Sequence, residues 1–176
     1  MARLVLSDAS PLIGLARVDG VSWLHALFGV VVLTSEVERE LWAGGVLERA
    51  IERALDEGWL RRFDGFSEVT GGRSDADLPV RPPHLGDGEW STIVAGLYHK
   101  GPTLLVLDDR LARREARAHG LEMAGTAAVI VAAARRNLVD SPQLVFDRLL
   151  QSGFRLSPRV IREALDSFQR PTESRP

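Results

Sequence analysis

Four acidic residues, Asp8, Glu40, Glu89 and Asp109, recur at one kind of place in this chain. Each stands where an apolar run ends, or where a helical pattern runs past such an end. Asp8 closes the run Leu4-Val5-Leu6, and Asp108 and Asp109 close Leu104-Leu105-Val106-Leu107. Carboxylates at the ends of buried strands are costly unless something neutralises them. Two of them about 4 Å apart repel by roughly 4 kcal/mol at an effective dielectric of about 20. A divalent cation is the usual remedy, and the chemistry it points to is metal-dependent hydrolysis.

Each acid also has a plainer reading. Asp8 could cap a helix, but Ser10-Pro11 already reads as an N-cap followed by proline at the first helical position. One of Asp108 and Asp109 is expected to cap the helix that begins at Arg110, leaving the other for a metal. Glu40 belongs to the run Glu36, Glu38, Glu40, whose default is an exposed acidic face, yet it adjoins the apolar Val37 and Leu41. Glu89 lies in a first helical turn, where the macrodipole favours an anion, and its spacing from Ile93 tilts it toward the buried face. Arg110, Arg113, Arg114 and Arg117 share one side of a helix and could hold a phosphate backbone. With Glu115 among them, a solvated face is the competing reading. The four histidines form no i, i+4 pair, no Gly-x-Ser-x-Gly is present, and Gly86-Asp87-Gly88 is neither a dinucleotide nor a phosphate loop.

The elements that must position these acids alternate. Strands are expected at 3–7, 30–33, 59–63 (an edge strand), 103–107 and 121–124. Helices are expected from Ser10, at 21–27, from Thr34-Ser35, and at 46–57, 89–100, 110–119, 126–136, 141–151 and 157–168. Ser35 and Glu38 have capping-box spacing. Residues 64–86, rich in Gly, Pro, Asp and Arg, read as a loop. Strands alternating with helices imply an α/β fold with a parallel sheet covered on both faces. Ligands in such folds collect beyond the carboxyl ends of the strands.

The bulk numbers set limits. The chain has 176 residues, 45% apolar and 26% charged, which suits one globular domain. A formal charge of −2 supplies no global basic field, although all but one of the 22 cationic residues are arginine, the side chain suited to bidentate phosphate contacts. Absence of cysteine excludes thiolate zinc sites and disulfides and fits a reducing compartment. The N-terminus reaches Asp8 too early for a signal peptide, and no apolar run is long enough to span a bilayer. A cytoplasmic protein without membrane contact is expected.

Several segments together resemble one family. Ser7-Asp8-Ala9-Ser10-Pro11-Leu12-Ile13 looks like the opening of PIN-domain ribonucleases. Leu85-Gly86-Asp87-Gly88-Glu89 resembles the entry to their central helix, and Leu107-Asp108-Asp109-Arg110 with Ala112-Arg113 resembles their strand-end aspartate motif. Gly125-Thr126 and Gly153-Phe154-Arg155-Leu156-Ser157 are similar to features of a VapC-like subgroup. The resemblance covers nearly the whole chain, with residues 1–168 as a single PIN-like domain and 169–176 expected as a disordered tail. It implies a three-layer α/β/α fold, a parallel sheet of four to five strands in order 3-2-1-4-5, and extra C-terminal helices. It also implies catalysis by Asp8, Glu40, Glu89 and Asp109 with Mg²⁺ or Mn²⁺, held by Asp8, Glu89 and Asp109, with Asp108 the rival of Asp109. Ser10, Arg110, Arg113 and Arg114 become candidate substrate contacts. The chain departs from the family pattern at Leu107, where a hydroxyl is usual, and at Thr34, where proline is frequent.

The function so implied is metal-dependent hydrolysis of RNA phosphodiester bonds by the toxin of a VapBC-type pair. Its partners would be an RNA substrate, a small cognate antitoxin and a second copy of the chain. The alternative is a PIN fold that binds RNA or protein without cutting.

Overall fold

Leucine and valine alternate between two buried faces in the central strands, and that alternation builds the layers. The computed structural model describes residues 3–43, 48–63 and 80–170. Strands β1 (Leu4–Ser7), β2 (Val31–Leu33), β3 (Leu60–Arg62), β4 (Thr103–Val106) and β5 (Glu122–Ala124) form one sheet in the order β3-β2-β1-β4-β5, with every pair parallel. Nine helices are present among the described residues: α1 (Ala9–Ala16), α2 (Val21–Phe28), α3 (Ser35–Trp42), α4 (Arg49–Asp56), α5 (Asp87–Tyr98), α6 (Arg110–Ala118), α7 (Thr126–Arg135), α8 (Pro142–Gln151) and α9 (Pro158–Gln169).

On one face Val5, Leu33, Leu104 and Val106 pack with Leu12 and Leu15 of α1, Leu24 of α2, Ile51 of α4, Ile130 of α7 and Phe146 of α8. On the other, Leu6, Leu105 and Leu107 pack with Ile93 and Ala95 of α5 and Ala112 and Ala116 of α6. A parallel strand buried on both faces needs apolar side chains in both registers, so Val5 and Leu6 are both hidden from water. This is the three-layer α/β/α arrangement and strand order expected from the sequence. None of the described helices is long and apolar enough to cross a membrane.

The register places the acids. Leu4 through Ser7 pair in order with Thr103 through Val106, and the Asp8 amide donates to the Val106 carbonyl at 3.0 Å. Asp8 and the Asp108-Asp109 pair therefore leave adjacent central strands at the same end of the sheet. Helices follow parallel strands at that end, so the N-termini of α1, α5, α6 and α7 gather around it.

Two local expectations are corrected. The first helix begins at Ala9, with Asp8 in the N-cap position, so Ser10 and Pro11 lie inside its first turn. Thr34, not Ser35, caps α3, accepting from the Val37 amide at 3.3 Å. Glu38 is consequently out of capping register and pairs with Arg62 at 2.7 Å. Most strand and helix ends differ from expectation by one or two residues, the usual extent of end fraying. The helix expected at 46–57 starts at Arg49, its first residues and most of the expected loop lying outside the described residues, as do positions 171–176.

Candidate active site

Asp8 is the deepest of the four acids, with 4% of its surface exposed. Although it occupies the N-cap position of α1, its side chain makes no capping hydrogen bond, and Oδ1 is buried without a partner. Burial pushes the carboxyl up to about 7 from 3.8; the backbone amides of Ala9 and Ser10 oppose this, and the charges of Glu40 and Glu89 reinforce it. A buried oxygen with no donor, in a field of like charge, is the arrangement a cation relieves.

Glu89 and Glu40 meet at the start of α5. The N-cap of that helix is Gly86, which has no side chain to satisfy the first-turn amides. Glu40, reaching from α3, supplies the missing acceptor: the Gly88 amide donates to its Oε1 at 2.8 Å. Glu89 completes the turn from within, its Oε2 accepting from the Gly86 amide at 2.9 Å. Gly88 is required by this approach, since a Cβ there would stand 2.6 Å from Glu40 Oε2. A buried relay holds the two helices together. Thr34 and Ser91 share a hydrogen bond of 2.6 Å, and Ser91 donates to the Gly88 carbonyl at 2.9 Å. The Glu89 carboxyl is raised above its ordinary value chiefly by burial, then by the charges of Asp109 and Glu40, with the Gly86 amide and His84 opposing.

The two aspartates after β4 divide their work. Asp108 turns toward α7: Thr126 donates its backbone N–H to Oδ1 at 2.8 Å and its hydroxyl to Oδ2 at 2.6 Å. Gly125 permits this, because a Cβ there would lie 2.9 Å from Asp108 Oδ1. Burial raises the Asp108 carboxyl, against Thr126 and the nearby Arg113. Asp109 caps α6, its Oδ1 accepting from Leu111 at 2.7 Å and Ala112 at 2.9 Å. The expected division into one capping and one free aspartate therefore takes another form. Both are engaged, Asp108 through both oxygens and Asp109 through Oδ1 only. Asp109 remains within electrostatic reach of Glu89.

A cleft of about 610 Å³ opens beside this cluster, lined by Asp8, Ser10, Ile13, Glu40, Gly86 and Glu89 among others. The structure thus brings Asp8, Ser10, Glu40 and Glu89 to one cavity, while Asp109 adjoins Glu89 outside its lining. Of the basic stripe, Arg113 is held inward, donating to the Leu107 carbonyl at 2.8 Å, and Arg110, Arg113 and Arg114 do not line the cleft. Two cleft residues that sequence reasoning passed over are Arg17 and Arg155. The spacing of Ser10, Ile13 and Arg17 along one helical face was a signal for the first.

The donors suit a hard divalent cation, which prefers carboxylate oxygens, and the orphaned Asp8 oxygen is the sharpest sign of fit. Among the described residues no three His, Cys, Asp or Glu side chains are close enough to enclose a metal ion, so the acids form a spread cluster, not a closed cage.

A family model described as "DUF3368: PIN domain" matches residues 4–170. No curated protein and no solved structure matches the chain. PIN domains are usually nucleases that use divalent metals, which supports a nuclease-type hydrolase in general terms. With the match covering nearly its whole length, the five parallel strands in order 3-2-1-4-5 and the acids at their carboxyl ends, the chain belongs to the PIN-domain family.

Proposed function

We propose that this protein is a metal-dependent endoribonuclease, and that Asp8 and Asp109 hold the Mg²⁺ or Mn²⁺ it uses, with Glu89 reaching it directly or through one of the waters such an ion retains. The observation that carries this reading is the buried, unpartnered Oδ1 of Asp8, facing the charges of Glu40 and Glu89. Each of the other three acids has one oxygen fixed by a backbone amide: Glu40 by Gly88, Glu89 by Gly86 and Asp109 by Leu111. The amide sets the orientation, and the second oxygen is left to face a ligand. Preorientation of this kind lowers the cost of assembling a metal site. A bound divalent cation supplies charge to polarise a phosphate and lowers the pKa of a coordinated water. Glu40, which is exposed, orients an attacking water in this scheme. Asp108 is the weaker ligand candidate, because both its oxygens are already hydrogen bonded.

The test is cleavage of single-stranded RNA by purified protein with and without Mn²⁺. Activity is expected in the wild type, lost with chelator, and abolished in Asp8→Asn. Full Mn²⁺-dependent cleavage by Asp8→Asn sinks the assignment. The narrower reading, a VapC-like toxin in the cytoplasm, working as a homodimer and silenced by a small antitoxin, rests on the Gly125-Thr126 and Gly153–Ser157 segments. Growth arrest on overexpression and co-purification of a small neighbour-encoded protein are its expected outcomes; unaffected growth counts against it. The competing non-catalytic module predicts no heat of Mn²⁺ binding at millimolar metal, which calorimetry reads directly.

A further inference from the structure

We infer that Arg17 and Arg155 form a phosphate-gripping subsite for single-stranded RNA, at the opposite end of the cleft from the acids. The cleft follows the length of α1. Asp8 stands at the N-terminus of that helix, Ser10 and Ile13 line the middle, and Arg17 sits at its C-cap. At about 1.5 Å rise per residue, the acidic and basic ends are roughly 13 Å apart along the axis. The second cation comes from elsewhere in the chain: Arg155 lies in the connection between α8 and α9, beside Gly153 and Phe154.

Both guanidiniums are exposed and neither is paired with an acid. Arg17 donates once, to the Ser152 carbonyl at 3.2 Å, a bond that ties the end of α1 to the Arg155 connection. Arg155 makes no hydrogen bond or ion pair among the described residues. Six other arginines among the described residues, including Arg62 with Glu38 and Arg148 with Asp19, are already held by a carboxylate. The Arg155 connection is also anchored. The Phe154 ring fills the space above Gly14, where a Cβ would come within 2.6 Å of it. Gly14 thus lets an aromatic side chain pin the loop to α1, and Arg155 follows it to the cleft.

The two-sided polarity selects the ligand. An acidic end that takes a divalent cation and a basic end about one helix away suit a chain of repeating phosphates, one at the cation and a flanking one at the arginines. A planar guanidinium offers bidentate donors to phosphate oxygens. This inference rests on the nuclease reading for the choice of RNA, but the subsite is read by binding, not by cleavage.

The experiment is fluorescence anisotropy of a labelled single-stranded RNA on the full chain in chelator, carrying Asp8→Asn so that the strand stays intact and the arginine end is read without the metal. Affinity is measured from about 50 to about 200 mM salt, where each phosphate contact on a single strand contributes about 0.7 to the slope of log K against log salt. The double variant R17A/R155A is expected to lower that slope by about 1.4 and to bind at least tenfold more weakly at low salt. R17K/R155K is expected to recover the slope with only part of the affinity. R53A, on the exposed side of α4, serves as the charge control and is expected to match its parent. The inference is overturned if R17A/R155A keeps the parent slope, if R53A loses as much, or if the parent binds no RNA. Cleavage by the chain with Asp8 intact, run in parallel, separates the two readings. Slope loss without cleavage keeps the subsite and removes the nuclease, and cleavage without slope loss does the reverse.

Discussion

Asp8→Asn should make this protein more stable at alkaline pH and leave it nearly unchanged at acid pH. The folded protein keeps a proton on Asp8 up to about pH 7, whereas the ordinary carboxyl value is 3.8. Between those values the unfolded chain binds fewer protons than the folded one, so stability falls as pH rises through the window. A tenfold change in proton affinity is worth about 1.4 kcal/mol, so the full loss is about 4 kcal/mol by pH 8. Asparagine has nearly the same shape and no charge to bury, and it escapes this cost. Urea unfolding in chelator should show the two proteins within about 1 kcal/mol near pH 4. By pH 8 the variant should lead by up to about 4 kcal/mol. Mn²⁺ should then narrow the variant's lead at pH 8 to about 1–2 kcal/mol. At a hundredfold excess over its dissociation constant it stabilises a binding-competent fold by about 2.7 kcal/mol, and the variant should gain little of that. A difference between the two proteins that does not change with pH, or a variant less stable at pH 8, refutes the burial argument.

Gly88→Ala should lower stability by about 1–2 kcal/mol, because the amide that Glu40 accepts from is stranded and alanine's helix preference of about 1 kcal/mol offsets only part of that. Mn²⁺ affinity by calorimetry should fall at the same time, because the new Cβ displaces the Glu40 carboxylate. Asp109→Asn should preserve the α6 cap, as asparagine caps equally well, and hold its melting temperature while losing RNA cleavage. Asp108→Ala should instead cost about 1–3 kcal/mol in urea unfolding, from the two Thr126 donors it strands. Gly14→Ala should cost about 1–3 kcal/mol through overpacking against Phe154, with tryptic cleavage after Arg155 speeding up as the connection loosens.

The layered fold was legible because its cause is local and repeated. Apolar runs such as Leu4-Val5-Leu6 and Leu104–Leu107 cannot be exposed on either face, and helical periods between them leave few other ways to cover a parallel sheet. The acids at the strand ends were legible for the same reason, since a carboxylate directly after a buried run stands out. Ser10 was misread as a cap because serine before proline is a good local signal. Strand register brought the chain into helix at Ala9 instead.

What sequence alone determined was the set of chemical types and the edge of the sheet at which they gather. Tertiary structure decided which oxygen of each acid is spoken for. Glu40 replaces a cap that Gly86 cannot provide, Asp108 turns away to Thr126, and Asp8 alone keeps a buried oxygen without a donor. It also decided that Arg17 and Arg155, 138 positions apart in sequence, share one cleft. Hydrogen bonds and cavities depend on distances between segments remote along the chain, and a pattern read along the chain carries no such distances.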